Sequence, residues 1–282
     1  MFRCPAMTTV HLLLRTAAAG ALLGLALPGS VWAAQPPVVA KPGALRELTT
    51  DRPDATESPF TVDAGRVQLE MDAASFTRNR LDGVRTTEWV LAPFNVRLGL
   101  TPEFEIGVFV TPHVHVTERL RNGPKTTTRG LGDTTLRAKF NFRGNDGGDT
   151  VLGLIADMKL PTASRGLGND KVEYALALPV AFEVGAGWEG AAMTSVGMNH
   201  LGPRGYQPVW SNTITFARDL APDLGGFLEL TSAVGDGRHV ATFNCGLTRA
   251  LGPGTQLDVG AYIGISRTAP DLTLFVGVSR KF

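Results

Sequence analysis

Residues 270–282 read Pro-Asp-Leu-Thr-Leu-Phe-Val-Gly-Val-Ser-Arg-Lys-Phe. In an extended strand, Leu272, Leu274, Val276, Val278 and Phe282 fall on one face. Thr273, Gly277, Ser279 and Lys281 fall on the other. One face is wide and apolar, the other small, polar or charged. A soluble sheet would set the apolar face on a core. A membrane barrel sets it on lipid and turns the polar face to a wet lumen. A strand that ends the chain is also the natural partner of the first strand when a sheet closes.

The N-terminus bears on the choice. Arg3 and Arg15 precede any acidic residue, residues 17–27 are a short apolar run, and Val31-Trp32-Ala33 offers a small-residue cleavage pattern. Residues 1–33 read as a secretory signal peptide. The run is too short to span a bilayer comfortably. Cleavage leaves 25 basic against 26 acidic residues, so charge gives no argument for nucleic acid. Cys245 would be the only remaining cysteine, which rules out an internal disulfide. No later stretch is long and apolar enough for a transmembrane helix.

Residues 34–64 are then expected to be an N-terminal segment, periplasmic or inserted in a lumen. Residues 65–282 are expected to be strands and turns. Val67, Leu69, Met71 and Ala73 alternate with Gln68, Glu70, Asp72 and Ala74. A strand over 86–100 carries a bulge or kink at Pro93. The next runs from Phe104 through His113 and His115, and a charged loop spans 118–129. Leu136, Ala138, Phe140 and Phe142 oppose Arg137, Lys139 and Asn141. Similar alternation recurs to Phe282, giving about 12 strands, an even number as bacterial barrels have. Tight turns near Pro102, Ala186, Pro222 and Pro253 fall at one end, as periplasmic turns do. Phe104, Phe140, Phe142, Phe182, Trp188, Phe216 and Phe282 lie beside them; Trp89, Tyr206 and Trp210 lie at the other end, the spacing of two interfacial girdles. The fold class expected is all-β: a closed antiparallel transmembrane barrel of the outer membrane.

The polar face supplies the candidate lumen. Glu70, Asp72, Asp133, Asp157 and Glu173 bring carboxylates; Arg137, Lys139 and Lys159 bring cations. Mixed charge suggests paired networks in a narrow wet interior, whereas a field of one sign would suggest strong ion selectivity. Pairs that only brace a small barrel are the equal alternative. Asp51, Arg52, Asp54 and Glu57 lie in a polar, Pro-broken stretch that cannot be a lipid-facing strand. They are expected either on a flexible tail or folded back into the lumen. In the second case Asp51 and Asp54 would meet Arg137 and Lys139, and Arg52 would meet Glu70 or Asp72. His113, His115 and Glu105 share one face of a continuous strand, but two ligands at i, i+2 fall short of a metal site. No metal, cofactor or catalytic grouping is expected.

Two stretches carry a family resemblance. Thr50-Asp51-Arg52-Pro53-Asp54 with Glu57-Ser58-Pro59 is one. Gly130-Leu131-Gly132-Asp133-Thr134-Thr135-Leu136-Arg137-Ala138-Lys139-Phe140 is the other. With Leu160-Pro161-Thr162 and the ending at Phe282, they resemble the outer-membrane family called "putative MetA-pathway of phenol degradation". The resemblance implies a β-barrel that moves small molecules, with hydrophobic or aromatic compounds among the candidates. It supplies no catalytic residues. Expected partners are outer-membrane lipids, the barrel assembly machinery and a small-molecule solute, in a Gram-negative outer membrane. The terminal Phe282 resembles the assembly signal of such barrels. The alternatives are a structural or adhesive barrel with a plugged lumen, and a lipid hydrolase of the outer membrane.

Overall fold

The computed structural model describes residues 45–121 and 123–282; the expected signal peptide at 1–33 and residues 34–44 lie outside them. Fifteen strands follow in chain order. They are β1 (Val67–Leu81), β2 (Val84–Leu91), β3 (Phe94–Thr101), β4 (Phe104–Val110), β5 (His113–Leu120), β6 (Lys125–Gly130), β7 (Thr134–Arg143) and β8 (Thr150–Leu160). Then come β9 (Glu173–Gly185), β10 (Trp188–His200), β11 (Tyr206–Ala221), β12 (Leu224–Gly235), β13 (Arg238–Ala250), β14 (Thr255–Gly264) and β15 (Leu272–Lys281). All pair antiparallel, and β15 pairs with β1 to close the sheet. The Phe282 amide donates to the Val67 carbonyl at 2.8 Å, adding a bond beyond the end of that seam.

Three pairs of strands lie end to end. β2 and β3 both pair with β1; β5 pairs with β2 where β4 pairs with β3; β6 pairs with β5 where β7 pairs with β4. Fifteen strands therefore make twelve staves, a closed antiparallel barrel. The breaks fall side by side. The Ala92 amide donates to the Ala73 carbonyl, and the Gly132 amide to the Thr111 carbonyl. Ala92 adopts φ 51°, and the next residue is a proline that cannot donate to the ladder. An extra residue at each break flips the side-chain phase. Asp72 faces inward before the break in β1, and Thr77 after it; Glu88 faces inward before the break at Ala92, and Asn95 after it. The wall thus bends along one line across four staves.

This line corrects two expectations. His113 and His115 stand opposite Leu91 and Trp89, on the lipid side, while Glu105 is fully buried in the lumen. They do not share a face because the Thr111-Pro112 break flips the phase between them. The expected loop at 118–129 is largely strand: β5 and β6 form a hairpin with Thr117 opposite Thr127. The β-branched run Thr126-Thr127-Thr128 suits an extended chain better than the neighbouring charges suggested.

The barrel is inverted relative to a soluble protein. Leu176, Leu228, Leu230, Val259 and Val276 are about half exposed on the outer wall, where lipid covers them. Gln68, Arg97, Glu105, Lys139 and Asn244 are at most 1% exposed inside. Among the described residues no helix is long and apolar enough to cross a membrane. Phe140, Phe142 and Phe282 are exposed at the end with the turns at 102–103 and 186–187, and Trp89, Tyr206 and Trp210 are exposed at the other. Such aromatics place their rings at the two interfaces.

Candidate functional site

The lumen is not empty at its periplasmic end. Residues 46–63 run across it before the chain enters β1. Inward glycines give this segment its track. A Cβ at Gly99 would strike the carbonyls of Val62 and Asp63, and one at Gly277 would strike the Arg52 guanidinium. Glycine inside a strand marks such close approaches. The segment makes no regular structure, so the barrel wall must satisfy its backbone groups. Glu229 accepts from the amides of Ala55 (2.9 Å) and Thr56 (2.7 Å). Glu105 accepts from the amide of Val62 (2.6 Å), Asn141 donates to the Pro59 carbonyl (2.9 Å), and the Tyr262 hydroxyl donates to the Pro53 carbonyl (2.7 Å).

Charge fixes the segment as well. Asp51 contacts Lys139 at 2.5 Å and lies 3.4 Å from both Arg97 and Arg137. Glu57 meets Arg137 through two bonds of 2.6 and 2.8 Å, and Asp157 holds the other edge of the same guanidinium at 2.8 Å. Arg52 bridges Asp72 (2.5 Å) and Asp258 (2.6 Å). Beneath them Arg97 binds Glu70 (2.7 Å) and Glu105 (2.8 Å), with no exposure at all. Ion pairs this deep are poorly screened by salt, and each depends on its partner being present.

Of the residues expected in the lumen, Asp51, Arg52, Glu57, Glu70, Asp72, Arg137, Lys139 and Asp157 come together here. Asp133, Lys159 and Glu173 form a separate cluster toward the far mouth, where Lys159 is 3.1 Å from each carboxylate and Asn169 joins them from the 161–172 loop. Asp54 departs from expectation. Its carboxyl sits beside Glu229 and hydrogen-bonds Thr215, away from Arg137 and Lys139. There β11 and β12 present Thr213, Thr215 and Glu229, hydroxyls and a carboxylate instead of cations. Sequence reasoning missed Arg97, Asn95 and Glu229. The signal for Arg97 was its place on the same face as Asn95, which the bulge at Pro93 obscured.

The titration of the segment follows from these contacts. Burial would raise the Asp51 carboxyl, but Arg97, Lys139 and Arg137 together hold it below the ordinary range. Burial pushes Glu57 the other way, up to about 6, against the pull of Arg137. Burial and the Glu229 carboxylate push Asp54 up strongly. A raised value means that the docked segment binds its proton more tightly than a released one. The Glu57 contribution is therefore complete below its ordinary 4.5 and is lost as pH rises through about 6. That shift corresponds to at most about 2 kcal/mol. Asp51 has the opposite sign, and its contribution is lost only in stronger acid. A nitroxide at Ser58→Cys, in a Cys245→Ser background, should be more immobile at pH 5 than at pH 7.5. Identical spectra would contradict this account.

Between the segment and the far mouth lies a chamber of about 340 Å³. The bent wall lines one side through Pro93, Val110, Thr111, Val114 and Gly132. Phe109, Tyr262 and Phe275 add aromatic surface, and the segment itself forms the floor. The Arg137 guanidinium sits over the Phe109 ring, 4.5 Å from its centroid.

The sequence matches the family described as "Putative MetA-pathway of phenol degradation" over residues 50–282. The chain belongs to this family. Among solved structures it is similar to the COG4313 outer membrane channel from Pseudomonas putida F1. Identity is 15%, with 80% of this chain and 98% of that one covered, and the TM-score is 0.56. It is also similar to the NanC porin at 8% identity, covering 76% of this chain and 100% of that one, with a TM-score of 0.50. These likenesses agree with the barrel fold. Among curated proteins none matches the sequence.

Proposed function

We propose that this family member is a channel for small molecules, aromatic ones included, and that residues 46–63 are its periplasmic gate. The observation that carries the reading is the placement of that segment. It crosses the lumen below a chamber of ligand size, held by ion pairs and by carboxylates that accept from its backbone. A permanent brace could be made from wall side chains alone, as the Asp133–Lys159–Glu173 cluster is. A tethered segment held by charge can be released without disturbing the strand ladder.

A reversible lock tests this. The Thr56 and Thr213 hydroxyls are 2.7 Å apart, so a cysteine at each position brings two sulfurs within bonding reach. In Thr56→Cys/Thr213→Cys, with Cys245→Ser, oxidation should suppress solute flux into liposomes and reduction should restore it. Equal flux in both states would show that the segment does not gate.

A further inference from the structure

The chamber is charged unevenly. Nine carboxyl groups line it, those of Asp51, Asp54, Glu57, Glu70, Asp72, Glu88, Asp133, Asp157 and Glu173, against three cations, Arg52, Arg137 and Lys159; with Asp54, which burial pushes toward its neutral form, set aside, eight remain against three. Each of those cations is already engaged by two carboxylates: Arg52 by Asp72 and Asp258, Arg137 by Glu57 and Asp157, Lys159 by Asp133 and Glu173. Arg97 and Lys139, behind the lining, are spent on Glu70, Glu105 and Asp51. Negative charge therefore dominates the space, and the cations facing it have no bidentate capacity left for an anion.

A second observation points to a ligand. Asn95 is 3% exposed, lines the chamber, and has no hydrogen-bond partner for either Oδ1 or Nδ2 among the described residues. Asn199 is 1% exposed, lines the same chamber, and has no partner for Nδ2. Buried amides are normally bonded, and leaving one unmet is costly. Each lies beside a carboxylate. Asn95 stands opposite Glu70 on one side and Phe109 on the other; Asn199 precedes His200, whose amide binds Glu173 at 2.7 Å. An amide with both atoms unmet suits a group that donates and accepts, such as a hydroxyl.

We propose that the chamber is a binding site for a small organic cation that also carries a hydroxyl, an aryl-alkyl ammonium with a phenolic or alcoholic group being the class that fits. The ammonium takes the carboxylate-rich side. The apolar body lies along Val110, Val114 and the aromatic lining, and the hydroxyl meets Asn95. The inference deepens the channel reading and rests on the chamber lying on the solute path. It is tested by equilibrium binding, which does not depend on the gate.

The probes are tyramine, phenethylamine and 4-hydroxyphenylacetate, titrated calorimetrically at pH 7 into the folded barrel in detergent. Tyramine should bind at least about tenfold tighter than 4-hydroxyphenylacetate, which replaces the cation by an anion. Phenethylamine, lacking the hydroxyl, should bind several-fold more weakly than tyramine. Asn95→Leu should bring tyramine down to the level of phenethylamine and leave phenethylamine unchanged. If Asn95→Leu does not fold, the order of the three probes on the unaltered protein decides. An anion that binds as well as tyramine, no binding by either amine, or an Asn95→Leu barrel that keeps the hydroxyl's advantage would each overturn the proposal. A failed disulfide lock with the expected probe order would instead overturn only the gate.

Discussion

Deletion of residues 49–60 is expected to raise single-channel conductance severalfold while leaving a folded barrel. The deletion removes Asp51, Arg52 and Glu57 from the lumen, together with the backbone that Glu229 and Asn141 hold. Nothing in the closing seam depends on it: β1 pairs with β15 from Gln68 to Arg78, entirely beyond the deleted stretch. The remaining wall charges still include mutual pairs, Arg97 with Glu70 and Glu105 and Arg137 with Asp157, so the strands are not left with an unpaired guanidinium. Lys139 loses Asp51 and keeps Glu105 at 3.8 Å. Asp72 and Asp258 lose Arg52, but the same deletion opens their level of the lumen to water, which hydrates the freed carboxylates in place of the guanidinium, so the barrel is expected to stay folded. Folding is checked by the anomalous migration of unboiled protein on a detergent gel, and conductance in a planar bilayer. A folded deletion variant with unchanged conductance would show that the passage lies elsewhere.

Replacing Arg97 should have the opposite profile: a large loss of stability. Arg97→Met keeps an unbranched apolar stem and removes a guanidinium that holds Glu70, Glu105 and the Phe60 carbonyl with no exposure to water. Two carboxylates are then left buried with less compensation, a situation that costs about 3–5 kcal/mol. The urea midpoint of the heat-modifiable band in lipid bilayers should fall markedly. Arg97→Met/Glu105→Gln should recover part of the loss, because it removes one of the stranded charges. Arg204→Ala is the control. Arg204 is mostly exposed and, among the described residues, pairs with Asp236 in a turn, so its removal should shift stability by less than about 1 kcal/mol. Equal midpoints for Arg97→Met and Arg204→Ala would mean that the buried network contributes nothing to the folded state.

What the sequence determined by itself was which way the side chains face within each unbroken stretch of strand. Period-two alternation from Val67 to Phe282, with Leu, Val and Phe opposite Glu, Arg, Lys and Thr, has one inexpensive solution in a bilayer. The backbone groups close on each other in a barrel and the polar face turns inward. The polar, Pro-broken stretch around Asp51 and Glu57 was legible as something other than a strand for the same reason.

Only the tertiary structure decided who meets whom. Alternation assigns a face but carries no information about distance across a lumen, which is set by closure and by the stagger of the staves. Arg52 was expected near Glu70 or Asp72 and bridges Asp72 to Asp258, two strands joined only through the β15–β1 seam. Asp54 was expected at Arg137 and lies at Glu229, on the opposite wall. Of the line of breaks from Ala73 to Gly132, the sequence marked the one at Pro93 and not those at Ala73 and Thr111. A single extra residue inverts every side chain beyond it, so His113 and His115 changed sides, and the kink expected at Pro93 left Asn95 and Arg97 without an assigned face. Side-chain direction is a local property of an extended chain, and local sequence encodes it. Partner choice inside a closed barrel is a property of the whole ring, fixed only when the last strand finds the first.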